Sequence, residues 1–257
     1  MRFLSTNAVV LRTINQGEAD RIVTLFTEAQ GKLSAIAKGA RKPQNSLAPL
    51  TQVFAYSRVL LVKGKNLYIL TQGKLKYNFP AFIQDIERFA SASALVEIVD
   101  RMTEEGAPDK FIFDYLLAHL YVMEKAREPE LILRSWELKL LSHLGYKPHL
   151  ENCIICGKEL GNEMFTFSPS GGGIICRTCA ALSEDSLPIT EQCIRTMQRL
   201  LATPVHRLAG DSLAPQVREE LRSIVPLYVD MRAGKRGKTS EFIKGMEASG
   251  DVGFNPR

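Results

Sequence analysis

Four of the five cysteines in this 257-residue sequence stand in two pairs with the spacing of metal ligands. The pairs are Cys153-Ile154-Ile155-Cys156 and Cys176-Arg177-Thr178-Cys179, and 19 residues separate them. Two residues between cysteines let both sulfurs of a tight turn face one metal, and two such turns supply a tetrahedral set of four thiolates. We therefore predict one structural Zn²⁺ ion, bound by Cys153, Cys156, Cys176 and Cys179.

Other uses of these cysteines fit the sequence less well. No apolar stretch follows Met1-Arg2-Phe3-Leu4 and no apolar run is long enough to span a bilayer, so we expect a cytoplasmic protein without membrane contact and with reduced thiols. An iron–sulfur cluster usually has another spacing, and catalytic zinc needs a position open to water. Cys193 falls in a helical stretch and is expected to be a small buried residue, whereas His149 is either a further neighbour of the metal or a surface histidine.

Basic side chains concentrate at the beginning of the chain. Residues 1–80 contain 12 Lys/Arg and 3 Asp/Glu, a net charge of +9, whereas residues 81–150 have a net charge of −4 and residues 151–257 a net charge of zero. A basic segment beside neutral or acidic ones indicates a face that binds a polyanion, typically nucleic acid, although a solvated Lys-rich surface would have the same composition. The stretch Lys38-Gly39-Ala40-Arg41-Lys42-Pro43 is a basic, flexible connection that leaves a predicted strand, and Lys and Arg are suited to phosphate contact.

A second basic group comprises Arg232, Lys235, Arg236 and Lys238 near the end of the chain, and it is either a solvated tail or an auxiliary phosphate contact. The sequence contains no phosphate-binding P-loop, nucleophile elbow, His-Glu-x-x-His motif or deaminase signature. We therefore expect a binding protein and no enzymatic activity.

The apolar pattern of the first 80 residues has the period of β-strands. The predicted strands are Ala8–Ile14, Arg21–Thr27, Lys32–Ala37, Thr51–Val62 and Leu67–Leu75. Five short strands favour a small closed barrel, in which no edge needs protection. The OB-fold is such a barrel and binds oligonucleotides, and an SH3-like barrel is the alternative that strand counting leaves open.

Helical periodicity begins after Pro80. The predicted helices are Ala81–Met102, Asp109–Ala126, Glu130–Leu144, Thr190–Leu201 and Ala214–Arg232. The predicted fold class is α+β multidomain: a five-stranded OB-fold barrel (1–80), a helical domain in two parts (81–150 and 183–244) and an inserted four-cysteine zinc module (151–182). Residues 245–257 are predicted to be a flexible tail.

These parts, in this order, resemble the RecO family of recombination and repair proteins. The resemblance extends to about Ile243 and rests on Ala8–Arg12, Gly17–Val23, Phe26-Thr27, Gly31-Lys32, Ala37–Lys42, Trp136–Leu138 and Leu144–Pro148, which leads into the first cysteine pair. It implies a DNA repair and recombination mediator that binds single- and double-stranded DNA and anneals complementary strands. It also implies that the protein acts with RecR to load RecA onto DNA coated by single-strand-binding protein, in the cytoplasm at the nucleoid.

The resemblance also implies site residues. Lys38, Arg41 and Lys42 match the basic barrel loop of the family and are the first candidates for DNA contact, and Arg12, Arg21 and Lys32 are weaker ones. The family has a docking site for the C-terminal tail of single-strand-binding protein, and Arg127, Arg134 and Lys139 are candidates for it. The alternative function is that of an RNA- or ribosome-binding factor with the same barrel and zinc knuckles, and a metal-dependent hydrolase or nuclease would need an open metal site.

Overall fold

The computed structural model describes residues 3–161 and 164–234. The chain divides after Pro129 into two compact units, and each unit is described by itself. The domain boundaries at residues 80, 150, 182 and 244 stay predictions, and the flexible tail predicted for residues 245–257 lies outside the described residues. No helix in the described part of the chain is both long and apolar enough to cross a membrane.

The first unit begins with a closed five-stranded barrel. Its strands are β1 (Phe3–Gln16), β2 (Asp20–Thr27), β3 (Gly31–Ala37), β4 (Tyr56–Lys63) and β5 (Tyr68–Tyr77). They follow the order β1-β2-β3-β5-β4, β1 also pairs with β4, and the contact between β3 and β5 is parallel. This five-stranded barrel is the predicted OB-fold.

The long strand β1 closes the barrel because it pairs with two neighbouring strands. Its residues from Ala8 onward pair with β2, and those from Phe3 to Val9 pair with β4. The register shifts between Val10 and Arg12, and such an irregularity bends a strand as barrel closure requires. The barrel interior is filled by small and branched apolar side chains, among them Val10, Val23, Leu25, Ala35, Val59, Leu61 and Leu70.

The fourth strand begins later than predicted. Residues Pro49–Thr51 form a short 3-10 turn, and Phe54 has a positive φ of 73°. The backbone around Phe54 is held by hydrogen bonds to Val10, and its ring packs edge-on against Phe82. A tertiary contact therefore overrides the apolar pattern that extended the predicted strand back to Thr51.

Three helices complete the first unit. They are α1 (Ala81–Gln84), α2 (Ile86–Met102) and α3 (Lys110–Met123). The single helix predicted for Ala81–Met102 is broken at Asp85, which has extended backbone angles and accepts hydrogen bonds from the amides of Glu87 and Arg88. The prediction of one helix was wrong at this residue because Asp85 is an N-cap and starts a new helix.

The second unit is helical with a small sheet between its helices. Its elements are α4 (Pro129–His143), β6 (Phe165–Ser168), β7 (Gly173–Cys176), β8 (Leu187–Ile189), α5 (Glu191–Ala202) and α6 (Pro215–Ala233). The sheet has the order β7-β6-β8 and carries the second cysteine pair, which confirms a cysteine module inserted between helices. The three-residue strand β8 was not predicted, since Pro188 at its centre argues against a strand.

A buried charge network joins α4 to α6. The carboxylate of Glu130 pairs with Arg134 at 3.3 Å and with Arg222 at 2.7 Å, and Arg134 also pairs with Glu137 at 2.6 Å. Lys139 is buried as well and donates to the carbonyl oxygen of Leu201 at the end of α5.

These contacts bear on the candidate docking residues for single-strand-binding protein. Arg134 and Lys139 are committed to interior contacts, so neither presents its charge at the surface. Arg127 is exposed, in the first unit. The docking prediction was wrong in treating Arg134 and Lys139 as surface cations, because helical periodicity does not distinguish a buried cation with partners from an exposed one.

Candidate metal centre and nucleic-acid interface

The four paired cysteines meet in the second unit. The Sγ atoms of Cys153, Cys156, Cys176 and Cys179 all lie within 4.8 Å of one another, and those of Cys156 and Cys176 are 3.6 Å apart. Cys153, Cys176 and Cys179 are buried and Cys156 is exposed. This geometry brings together all four predicted ligands, and the group could hold one metal ion.

The first cysteine pair lies in a tight turn. The amide of Cys153 donates to Lys158 O at 2.8 Å, and the amide of Gly157 donates to Cys153 O at 2.9 Å. Gly157 has a φ of +74°, a conformation in which glycine has no steric cost. The turn is fastened to β7 by the hydrogen bond from Ile154 N to Ile174 O.

The second cysteine pair is presented by the β6–β7 hairpin. Cys176 is the last residue of β7 and pairs with Phe165 on β6. The amide of Cys179 donates to Cys176 O at 3.0 Å, which closes the second tight turn. Because the first turn is bonded to the same strand, β7 sets the relative position of the two pairs.

The thiols of this cluster differ in acidity. Burial opposes ionisation of Cys153, but backbone amides around its Sγ outweigh this effect and lower its pKa from 9.0 to about 6. Burial, together with hydrogen bonds to the other three thiols, raises the pKa of Cys179 to about 12. The Cys153 thiolate is thus stabilised by backbone amides, whereas the neighbouring sulfurs disfavour a further thiolate at Cys179. Only a cation at the centre would stabilise four thiolates together, so the donor set fits a metal ion.

The two residues weighed as further neighbours of the metal lie apart from the ligand group. Cys193 is fully buried in α5, where burial raises its pKa, and it behaves as the small apolar residue expected from the sequence. A ring nitrogen of His149 contacts the Oδ1 atom of Asn152. Neither belongs to the group of four that the described residues form.

Arg232, on α6, supports the hairpin that carries the second cysteine pair. Its guanidinium donates to Ser170 O at 2.9 Å and to Pro169 O at 3.2 Å, and it lies over the rings of Tyr146 and Tyr228. The sequence analysis grouped Arg232 with a basic tail, and the structure assigns it to the hairpin instead. Its companions Lys235, Arg236 and Lys238 lie outside the described residues.

The predicted basic loop is exposed and anchored to the barrel. Lys38, Arg41 and Lys42 all face solvent after β3. The Arg41 amide donates to Ala19 O, and its guanidinium donates to Gly17 O at 2.7 Å. The loop therefore stands against the β1–β2 turn with its three cations gathered at one end of the barrel.

The weaker candidates lie in other surroundings. Asp100 of α2 pairs with Lys32 at 3.4 Å and with Arg12 at 3.9 Å, and the Lys32 side chain is only 12% exposed. Arg21 is half-buried and donates to Thr51 Oγ1 at 2.9 Å. DNA contact by any of the six basic residues stays a prediction.

Most aromatic side chains of the barrel pack in the interior of the first unit. Phe26 stacks on Phe113, and Phe54 packs among Phe82 and Phe89. The hydroxyl of Tyr77 donates to Glu124 at 2.8 Å, and this bond raises the pKa of Tyr77. Phe26 and Phe54 are therefore core residues, which leaves the half-buried Tyr56 and Tyr68 as partly accessible rings.

Comparison with known proteins extends over both units. The family model described as recombination protein O N terminal matches residues 1–79, and the one described as recombination protein O C terminal matches residues 83–241. The DNA repair protein RecO of Alkaliphilus metalliredigens (strain QYMF) is 35% identical over 227 residues, which are 88% of this chain and 92% of that protein. The proteins of the same name from Acetivibrio thermocellus and Bacillus subtilis (strain 168) are each 32% identical, over 96% and 93% of this chain and 98% and 93% of their own lengths. The chain therefore belongs to the recombination protein O (RecO) family of DNA repair proteins.

Proposed function

We propose that the protein is a non-catalytic recombination mediator that binds single- and double-stranded DNA through its barrel and anneals complementary strands. With RecR it would help RecA to load onto DNA coated by single-strand-binding protein, whose C-terminal tail is a further partner. The observation that carries the DNA-binding part is the exposed cluster of Lys38, Arg41 and Lys42, fixed to the barrel by backbone hydrogen bonds. Three cations held at one end of an OB-fold match the repeating negative charge of a phosphate backbone.

The metal we propose for the four-cysteine group is a single Zn²⁺ ion. Four thiolates are the ligand set of structural zinc, and bound zinc would neutralise the charge that opposes their joint ionisation. The ion would tie the turn at Cys153–Cys156 to the hairpin that ends at Cys176. Its role is structural, because four protein ligands leave no position for a reacting water molecule.

The DNA-binding proposal is tested with labelled single-stranded DNA, by fluorescence anisotropy across a salt series. We expect affinity to fall with salt, and the Lys38→Ala/Arg41→Ala/Lys42→Ala variant to show a slope shallower by about 2, since each lost phosphate contact contributes roughly 0.7 on single strands. A matched control, Lys63→Ala/Lys65→Ala/Lys110→Ala, removes three exposed cations of the same unit outside this loop. Equal slopes for wild type and the loop variant would move the DNA site elsewhere.

Competition by RNA tests the alternative partner, and two further assays test the mediator role. RNA of the same sequence, competing for the protein more strongly than DNA does, would favour an RNA-binding factor. Annealing of complementary strands coated with single-strand-binding protein, and RecA filament formation with and without RecR, measure the remaining steps. Failure of wild type to bind DNA at low salt would refute the proposal.

A further inference from the structure

Three cations that the sequence analysis did not single out share one face of β4 and β5. Arg58 lies directly opposite Lys74 in the antiparallel pairing of these strands. Tyr56 precedes Arg58 by two residues on β4 and so shares its face, and the Nζ atom of Lys76 lies 3.1 Å from the Tyr56 hydroxyl. Arg58, Lys74 and Lys76 are all exposed. We call these three residues the β4–β5 basic face.

Within the described residues, the charges of this face are not balanced by ion pairs. Arg58 Nε donates to the hydroxyl of Ser5 at 3.2 Å, and Lys76 lies over the ring of Tyr56. No carboxylate among residues 3–161 and 164–234 forms an ion pair with any of the three. Like charges directly opposite each other on neighbouring strands repel, so a bound anion would stabilise Arg58 and Lys74 where they stand.

Other basic side chains of the barrel, in contrast, have protein partners. Arg12 and Lys32 face Asp100, and Arg21 is bonded to Thr51. The loop of Lys38, Arg41 and Lys42 lies against the β1–β2 turn after Gln16, whereas Arg58 is opposite Asn7 on β1. Nine residues of β1 separate these two places. The Lys38–Lys42 loop and the β4–β5 basic face are thus separate groups of exposed cations, and Arg12, Lys63 and Lys65 are exposed outside both groups.

We propose that the β4–β5 basic face is a second phosphate-binding surface, which holds one nucleic-acid strand while the Lys38–Lys42 loop holds another. The proposal rests on the proposed annealing function, since annealing requires two strands on one protein. Its occupant is a nucleic-acid backbone because the three cations offer point charges and a guanidinium fork along a strand, which suit a row of phosphates. Each face neutralises phosphates of its own strand, so that two strands approach without direct repulsion.

The test uses the full-length protein and two non-complementary oligothymidylates, one with a donor dye and one with an acceptor dye. Energy transfer reports two strands on one protein, and anisotropy of a single labelled strand reports the first binding event. We expect Arg58→Gln/Lys74→Gln/Lys76→Gln to keep first-strand affinity within about threefold, to lose the energy transfer and to anneal complementary strands at least about tenfold more slowly. The control Lys63→Gln/Lys65→Gln/Lys110→Gln, with the same loss of charge, should keep the energy transfer at saturating protein.

A direct footprint separates the outcomes. Lysine acetylation, read by mass spectrometry, should show protection of Lys74 and Lys76 only when a second equivalent of strand is added. If wild type anneals DNA but these lysines stay reactive and the β4–β5 variant anneals equally well, this proposal fails and the proposed function stands. If wild type neither binds nor anneals DNA, both fail. Protection by an acidic peptide and not by DNA would overturn the nucleic-acid assignment and make the face a protein-docking surface.

Discussion

Arg232 shows how the role of a single residue depends on its contacts. In the sequence it stands beside three further cations, as a tail that contacts phosphate would. In the folded second unit, its guanidinium donates hydrogen bonds to two carbonyl groups of the turn between β6 and β7 and lies over the rings of Tyr146 and Tyr228. Its charge is therefore used inside the protein, where it keeps the cysteine-bearing hairpin against α6.

Replacing Arg232 should loosen this hairpin. We expect Arg232→Met to lower the free energy of unfolding by about 1–3 kcal/mol, because two hydrogen bonds from a charged group are lost. Urea unfolding measures the loss of free energy, and faster hydrogen exchange at the amides of Gly171 and Gly172 would show that the loosening is at the hairpin. Arg207→Met, which removes an exposed arginine of the same unit, is the control and should change neither. Unchanged stability with weaker DNA binding would return Arg232 to a phosphate-binding role.

At the scale of elements, the β2–β3 turn fits closely against the segment between α2 and α3. Gly31 begins β3 with a φ of +63°, and a Cβ atom there would lie 2.0 Å from the carbonyl oxygen of Ala107. Gly106 donates its amide to Lys32 O at 2.9 Å, so the segment is bonded to the barrel edge. Gly31 is therefore required both for its backbone conformation and for the close approach of another backbone.

Gly31→Ala and Gly17→Ala separate these two requirements. Gly17 has a similar φ of +58° with open space around it, so its replacement should cost only about 1 kcal/mol for the left-handed conformation. Gly31→Ala must in addition displace the Ala107 backbone, and overpacking of this kind adds about 1–3 kcal/mol or more. Thermal or urea unfolding of both variants measures the difference. Equal losses would show that the segment moves away freely.

The network between α4 and α6 predicts sensitivity to acid. Burial alone would raise the pKa of Glu130, but hydrogen bonds from Arg222 and the charge of Arg134 outweigh it and hold the pKa below its ordinary value of 4.5. A carboxylate whose pKa is lowered by folding binds fewer protons in the folded state, so its contribution to stability is present above pH 4.5 and is lost as the pH falls below it.

Glu130→Gln should weaken that dependence. We expect the wild-type urea midpoint to fall between pH 5 and pH 3.5, and the variant to be less stable at pH 7 but to change less over that range. The pKa of Glu137 is shifted in the opposite direction: its burial outweighs the pairing with Arg134 and raises the pKa. Glu137→Gln therefore serves as the comparison, and an equal flattening by both variants would contradict the assignment to Glu130.

In the molecule as a whole, the four candidate metal ligands all belong to the second unit and the barrel belongs to the first. A structural metal contributes its binding free energy to the folding of the unit that it joins. Removing the ion with a chelator should therefore destabilise the second unit while the barrel keeps its fold and its affinity for DNA.

This prediction is measured on the purified protein by elemental analysis and by calorimetry with and without chelator. We expect about one zinc per chain and a chelator-sensitive transition, which Cys176→Ser reproduces because three thiolates hold the ion less tightly. Cys193→Ala leaves the ligand group intact and should retain the metal. Metal-free protein with undiminished stability would refute the structural zinc.

The barrel, the group of four cysteines and the exposed basic loop were predictable from the sequence. Strand alternation between turn residues is a local signal, and two Cys-x-x-Cys turns are local geometries, so each could be inferred from residues a few positions apart. The start of the helix predicted from Thr190 is a local feature as well, since Thr190 is the N-cap of α5 and its Oγ1 accepts a hydrogen bond from Cys193 N. The break of the predicted helix at Asp85 also has a local cause, since Asp85 caps α2. Such a capping residue is easily missed when the residues on both sides of it have helical periodicity.

Tertiary structure alone decided which charges remain available. Lys32 and Arg232 were candidates for binding nucleic acid, and each is bound to a partner distant in sequence: Asp100 for Lys32 and the β6–β7 turn for Arg232. Arg134 pairs with Glu130 and Glu137 on its own helix, and Glu130 in turn pairs with Arg222, which is distant in sequence. Conversely, Arg58 and Lys74 lie opposite each other because of the register between β4 and β5. The physical reason is that the electrostatic environment of a side chain is set by neighbours in space, and these are distant along the chain.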